Sequence, residues 1–525
     1  MFDTIIRNAQ IYSGRKEAPR KTHLAIQGDR IAEIGDHLAS AEAKNWIEAE
    51  GCFLGPGFID PHASTGFGYF FPRAADHKLY QGITTEIFGN CGTSPAPIGD
   101  GLIKTMERLS EEIGFPFTWR TTTEYFKAIQ DKLQFNIGTL VGHSTLRGGF
   151  LDDWHQVSDV AMGRMKEALA QAMDEGALGM SSGLIYAPGC FAELDELVQL
   201  VKIVREKGGV YASHIRNERD QIEDAIEEAL TIGQQAEIPV LISHLKAAEK
   251  NNWGKIPKVL ERIERYRRET GLAARVDVYP YTAVSTKLRA FIPKHFLGNG
   301  IAELPKLLQQ SGATQEIAAY LALKGYDLNQ MLIISDNLPA YYGQTVGQLA
   351  DSRGMSEAEI ISEMLQASTE VWVVYHCIDE RDMDQAVLWD DAMICTDSWS
   401  YPINAPKTIG QPHPRSYGAF TTFLQRYVLE QKSLSWEEAF YKASYLPAQF
   451  FQLLDRGEIR PGALADLVLF DPQRVRANAT YLNPKQLSDG VEYLWVNGQV
   501  IIQERKVVDA SPGLVLRPNR LSVNV

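Results

Sequence analysis

The chain has 525 residues, 45% hydrophobic and 22% charged, which is enough for a large core and two or three domains of ordinary size. Its 52 Lys and Arg against 66 Asp and Glu leave a formal net charge of −14, which excludes a broad phosphate-binding surface but not a local basic pocket. Five scattered cysteines exclude a disulfide scaffold and suit a reducing compartment, and no run reaches the roughly 18 apolar residues of a membrane span. The N-terminus has no basic start followed by a long apolar run, so the expectation is a cytoplasmic protein with no nucleic-acid or membrane partner. The oligomeric state stays open.

Residues 1–55 alternate short apolar runs with turn residues, which predicts strands joined by hairpins. The middle then changes rhythm. Short β-rich runs at 57–63, 84–90, 137–143, 177–183, 210–215, 240–245, 275–281 and 393–398 alternate with helical segments, the pattern of a parallel α/β fold. The segments VAMGRMKEALAQAMDEG and RDQIEDAIEEALTIGQQAEI carry apolar residues at helical spacing, with Gly176 and Gly233 as candidate helix ends. Eight such units predict an α/β fold of TIM-like (β/α)₈ barrel type over residues 56–454. A segment from about 286 to 390 breaks the rhythm before the eighth strand and is expected to be an inserted lid. Residues 455–525 return to hairpin patterning. Neither end alone can close a stable sheet, so 1–55 and 455–525 are expected to form one small composite β-domain.

The polar residues at the ends of these runs carry the chemistry, because strand C-termini converge on the catalytic mouth of a barrel. His62 ends the first run, Cys91 follows the second within Asn90-Cys91-Gly92, His143 ends the third, His214 and His244 end the fifth and sixth, and Asp397 ends the eighth. His23, His37, His77, His155 and His295 are read as ordinary structural histidines. Cys91, His214 and His244 with one open position make a sensible catalytic zinc set, and a nearby carboxylate such as Asp397 can move protons. These parts suit hydrolysis of an amide or ester. Lys246 lies two residues after His244 and so faces the same side of a strand. Tyr279 and Tyr281 flank Pro280 and share one face. Lys287 and Arg289 are either exposed loop cations or partners for an acidic substrate side chain.

The blocks GPGFIDPH, QGITTEIFGNCG, VGHSTLRGG, ALGMSSGLIYAPG, YASHIRNE, ISHLKAA, DVYPYTAVST and HPRSYGAF resemble, in order, those of D-aminoacylases, the N-acyl-D-amino-acid deacylases of the amidohydrolase superfamily. GALADLVLFDP and VNGQVI resemble that superfamily's C-terminal β-domain. The resemblance implies a zinc-dependent hydrolase that acts on a small N-acyl-D-amino acid and yields a carboxylate and a free D-amino acid. It implies one tightly bound Zn²⁺ at Cys91, His214 and His244, Asp397 as general base and acid, and substrate contacts from Tyr186, Lys246, Tyr279, Ser285 and Arg415. The carboxylate falls chiefly to the basic members, since an arginine can clamp it in bidentate fashion. One departure is plain: where the superfamily has His-x-His on its first strand, this chain has His62-Ala63-Ser64. Serine is a poor zinc ligand, which puts a second metal site built on His62 in doubt. His62 and His143 stand as possible additional site residues. Three alternatives remain at this level: a D-dipeptidase, a cyclic amidase of the same superfamily, and a metal-poor scaffold without catalysis.

Overall fold

The computed structural model describes residues 1–64, 66–297, 301–400, 402 and 411–518. All eight predicted runs become strands of one parallel sheet: β1 (Phe58–Asp60), β2 (Ile83–Phe88), β3 (Asn136–Gly142), β4 (Gly179–Gly183), β5 (Val210–His214), β6 (Val240–Ile242), β7 (Ala274–Val278) and β8 (Ala392–Ile394). Each pairs with the next in chain order. The sheet closes on itself just beyond the ends of β1 and β8. There Ala63 bridges Ser398, the Asp397 N–H donates to the His62 carbonyl at 3.0 Å, and the Ser64 N–H donates to the Ser398 carbonyl at 3.1 Å. Ile59, Ile87, Leu140, Ala212, Leu241 and Met393, from six of the strands, pack into one apolar cluster with Phe450 and Leu516. The fold is thus a TIM-like (β/α)₈ barrel with a packed interior.

Helices pack on the outside of the strands. Asp159–Asp174 begins where the Ser158 side chain accepts a hydrogen bond from the Ala161 N–H, and Gly176, at φ 114°, follows its end. The next predicted helix is Ile222–Ala236, but Gly233 does not end it. That glycine lies inside the helix, where a Cβ would come within 2.2 Å of Val240 on β6, so its role is to let the helix approach the sheet. The helix ends instead at Glu237, in the left-handed conformation.

Strands from both ends of the chain form a nine-stranded sheet. Its two halves meet where Phe53–Pro56 pairs antiparallel with Leu467–Phe470. Ile6, Leu24, Leu54, Leu467 and Trp495 share its apolar core. Between β7 and β8 the chain leaves the barrel to build a three-stranded antiparallel sheet of Ala283–Lys287, Met331–Ile333 and Trp372–His376. This excursion starts at Ala283, slightly before the expected position. Among the described residues, no helix is long and apolar enough to cross a membrane.

Candidate metal centre and active site

The strand ends bring five of the expected residues together. His62, Cys91, His244 and Asp397 place one ligand atom each within 4.8 Å of one another. Cys91 Sγ lies at their middle, 3.3 Å from His62 Nε2, 3.4 Å from His244 Nε2 and 3.5 Å from His214 Nδ1. His62 Nε2 is 3.5 Å from Asp397 Oδ1. Cys91, His244 and Asp397 all adopt positive φ, at 53°, 35° and 44°, a region that side chains with a Cβ normally avoid. Each lies two or three residues past a strand end. The tight turn there aims the side chain across the mouth rather than up the strand, and such strain concentrates at functional sites.

The electrostatics of the cluster favour its charged forms. Burial works against the Cys91 thiolate, but the His62 and His244 imidazoles outweigh it and hold its pKa below the usual thiol value. Burial likewise opposes charge on His62, yet Asp277 and Cys91 push its pKa well up. The Asp397 carboxyl is held well below the ordinary carboxylate range: burial opposes this, and Arg415, His244, His62 and Lys246 overcome it. His214 is different. Burial lowers its pKa to about 4, which keeps the ring neutral and able to act as a ligand, and its Nε2 is buried without a hydrogen-bond partner among the described residues.

This donor set fits zinc. One thiolate and neutral imidazoles are its preferred ligands. Tetrahedral zinc holds a sulfur and a nitrogen donor about 3.6 Å apart, close to the three sulfur–nitrogen separations above. Two acidic residues that sequence reasoning missed hold the imidazoles. Asp277, fully buried on β7, takes the His62 Nδ1 at 3.2 Å and accepts the His244 backbone N–H at 2.7 Å. Glu218 lies 3.0 Å from His244 Nδ1 and 3.9 Å from His214 Nε2. Both had a faint signal. Asp277 shares a strand face with Tyr279, and Glu218 follows His214 by four.

The expected substrate contacts divide. Arg415 lies beside the cluster, with Nη2 3.0 Å from Asp397 Oδ2 and Nε donating to the Asp397 carbonyl at 3.0 Å. Lys246 Nζ is 2.5 Å from Glu218 Oε1 and 2.8 Å from His244 Nδ1. The Tyr279 ring lies between these two cations, 4.6 Å from Arg415 and 5.8 Å from Lys246, and its buried hydroxyl has no partner among the described residues. Tyr186, 49% exposed, packs its ring 5.0 Å from that of His214. Ser285 sits in the inserted sheet opposite Val374, and no hydrogen bond among the described residues ties it to the cluster.

His143 does not join the cluster. It begins the helix His143–Phe150, is wholly buried, and brings Nε2 to 2.8 Å from Glu196, which also pairs with Arg147. That contact ties the ring to Glu196, and His143 is in neither group of metal-type donors. Ser64 contributes its backbone to barrel closure. The five histidines read as structural, His23, His37, His77, His155 and His295, lie outside both donor groups. Lys287 and Arg289 are taken up by Glu370 within the inserted segment.

A (β/α)₈ barrel with cysteine, histidines and an aspartate converging at its C-terminal mouth is the architecture of a metal-dependent amidohydrolase. An amidohydrolase family model matches residues 405–502. The chain is 32% identical to the N-acyl-D-aspartate deacylase of Alcaligenes xylosoxydans xylosoxydans, over 98% of this chain and 95% of that one. It superposes on a crystal structure of N-acyl-D-glutamate deacylase from Bordetella bronchiseptica, complexed with zinc and a phosphonate mimic of the tetrahedral intermediate. The TM-score is 0.82 and the identity 29%, covering 98% and 99% of the two chains. A crystal structure of D-aminoacylase matches with a TM-score of 0.82 and 30% identity, covering 98% and 100%. The chain belongs to the N-acyl-D-amino-acid deacylase family of the amidohydrolase superfamily.

Proposed function

We propose that the protein hydrolyses the amide bond of small N-acyl-D-amino acids in a zinc-dependent reaction, releasing a carboxylate and a free D-amino acid. The observation that carries this reading is the thiolate–imidazole cluster of Cys91, His214 and His244 beside the ionised Asp397, in a chain of the deacylase family. Cys91, His214 and His244 would hold one zinc ion. His62 Nε2 stands against the same sulfur. A zinc ion bound there supplies Lewis-acid activation of the scissile carbonyl and of water.

The remaining work falls to the chain's own residues. Asp397 takes the proton of the attacking water and returns it to the departing amine nitrogen. Arg415, in contact with Asp397, and Lys246, beyond His244, form the basic pocket for the substrate carboxylate, and the Tyr279 hydroxyl between them, which has no partner among the described residues, donates to it. Tyr186 at the mouth and Ser285 in the inserted sheet complete the substrate contacts. That sheet covers the reaction as a lid. No lysine occurs on β4, which weighs against a cyclic amidase that bridges two metals through such a residue. All five thiols are free, in keeping with a cytoplasmic setting.

Metal analysis combined with a panel of N-acetyl-D- and N-acetyl-L-amino acids tests the proposal. D-selective release of free amino acid by zinc-loaded protein is expected. Zinc-loaded protein that hydrolyses no D-derivative rules it out.

A further inference from the structure

The barrel seam holds a charged cluster that plays no part in the chemistry above. Lys78 is 0% exposed, deep in the protein, where a lysine is almost never found unless paired. Its Nζ lies 2.9 Å from Asp60 Oδ2 and 2.5 Å from Glu86 Oε2, and donates to Thr396 Oγ1 at 3.1 Å. Both carboxylates are buried as completely. Glu86 also accepts from the Tyr69 hydroxyl and, at 3.2 Å, from Ser400 Oγ. A buried ion pair adds little stability compared with an apolar filling, so its presence calls for another explanation.

That explanation is where the cluster sits. Asp60 ends β1, Glu86 lies on β2, and Thr396 follows β8. These are the strands that lead to His62, Cys91 and Asp397. β1 and β8 share no regular ladder; their contact is made by the few bonds at 62–64 and 396–398. Asp60 substitutes for the missing ladder. Its Oδ1 accepts the Thr396 N–H at 3.1 Å and the His62 N–H at 3.2 Å, so one carboxylate oxygen holds the backbone on both sides of the seam. Its Oδ2 accepts the Thr396 hydroxyl at 2.5 Å. Thr396 directly precedes Asp397, whose positive φ must be held against its preference. Lys78 neutralises Asp60 and ties it to β2, where Asn90, beside Cys91, donates to the Pro61 carbonyl at 3.2 Å.

We propose that Asp60, Lys78 and Glu86 are positioning residues: a buried ionic lock across the barrel seam that sets the distance and orientation of His62 and Asp397 against Cys91. The proposal rests on the zinc-hydrolase reading for its effect on turnover, but not for its effect on geometry.

The test compares the wild type with the charge-free triple variant Asp60→Asn, Lys78→Met, Glu86→Gln, which removes both signs of charge together. Zinc per chain, kcat and KM for an N-acetyl-D-amino acid, and the visible spectrum of the Co²⁺-substituted protein are measured. Zinc per chain and KM are expected to stay at the wild-type level while kcat falls roughly 10- to 100-fold, as for other residues that orient an active site from outside it. The cobalt bands are expected to shift with the altered surroundings of the Cys91 thiolate. A folded variant with wild-type kcat and cobalt spectrum overturns the proposal. So does a loss confined to KM with an unchanged spectrum. Should the triple variant not fold, Glu86→Gln alone is read by the same criteria. A wild-type protein that cleaves no D-derivative defeats the functional reading, while the cobalt spectra still decide the lock.

Discussion

Single residues at the mouth carry separable duties. Cys91 stands at the centre of three imidazole nitrogens, so Cys91→Ala is expected to lose bound zinc on dialysis, measured by metal analysis of protein with an unchanged circular dichroism spectrum. Asp397→Asn keeps the shape but cannot accept a proton. It is expected to retain zinc and to lose roughly 10²- to 10⁴-fold in kcat, the range ascribed to general acid–base catalysis. Glu218→Gln leaves the ligands in place but removes the charge that orients His244 and holds Lys246. A loss of about 10- to 100-fold in zinc affinity is expected from competition with a chelating dye. Cys91, His214, His244 and Asp397 stood out in the sequence as candidates because each lies at or just past the end of a separate strand run. Asp277 and Glu218 were not singled out, because an acidic residue within a strand run or a polar loop has no distinctive pattern until the imidazole it meets is located. For His62 several roles stayed open, and its place depended on the closure of β1 against β8.

At the scale of elements, the alternation of strand and helix was legible over eight units, whereas close packing between elements was not. Gly233 shows the difference. A glycine late in an amphipathic run looks like a helix end, yet here it is the point where a helix meets β6. Gly233→Ala is expected to lower stability by about 1–3 kcal/mol, the usual cost of overpacking, read as a fall in denaturation midpoint. A second case is Lys442, in the π-helical segment Tyr441–Tyr445. It is fully buried and donates to the Trp389 carbonyl. Burial lowers its pKa from 10.5 to about 8. Below that pH the lysine is charged in both folded and unfolded chains, and folding bears the full cost of burying the charge. From about pH 8 to 10.5 the unfolded chain retains a proton that the folded protein has lost, so stability rises with pH through this window. Lys442→Met removes the dependence. The variant is expected to be the more stable near neutral pH, and its advantage in melting temperature is expected to narrow as pH rises from 7 to 10.

For the whole molecule, the two chain ends complete one sheet, and neither can bury its apolar face without the other. Truncation at residue 490 removes Val491–Val496, with its buried Trp495, and the strands beyond. It also removes the Leu514 and Leu516 backbone bonds to Ile137 on β3. The truncated chain is expected to be insoluble or unfolded, judged by soluble yield against the full-length protein. The hairpin patterning of both ends was visible in the sequence. Their pairing through Phe53–Pro56 and Leu467–Phe470 spans more than four hundred residues, and no local pattern encodes such a partner.

The sequence by itself determined the barrel class, through hydrophobic periodicity, and the family, through its motif blocks, and it singled out candidate metal-type donors at strand ends, because all of these are local properties. Only the tertiary structure decided that His62 joins those donors while His143 pairs with Glu196, that Asp277 and Glu218 orient the imidazoles, and that a buried lysine spans the seam. These outcomes depend on side-chain direction and desolvation, which are set by segments remote in sequence once they pack together.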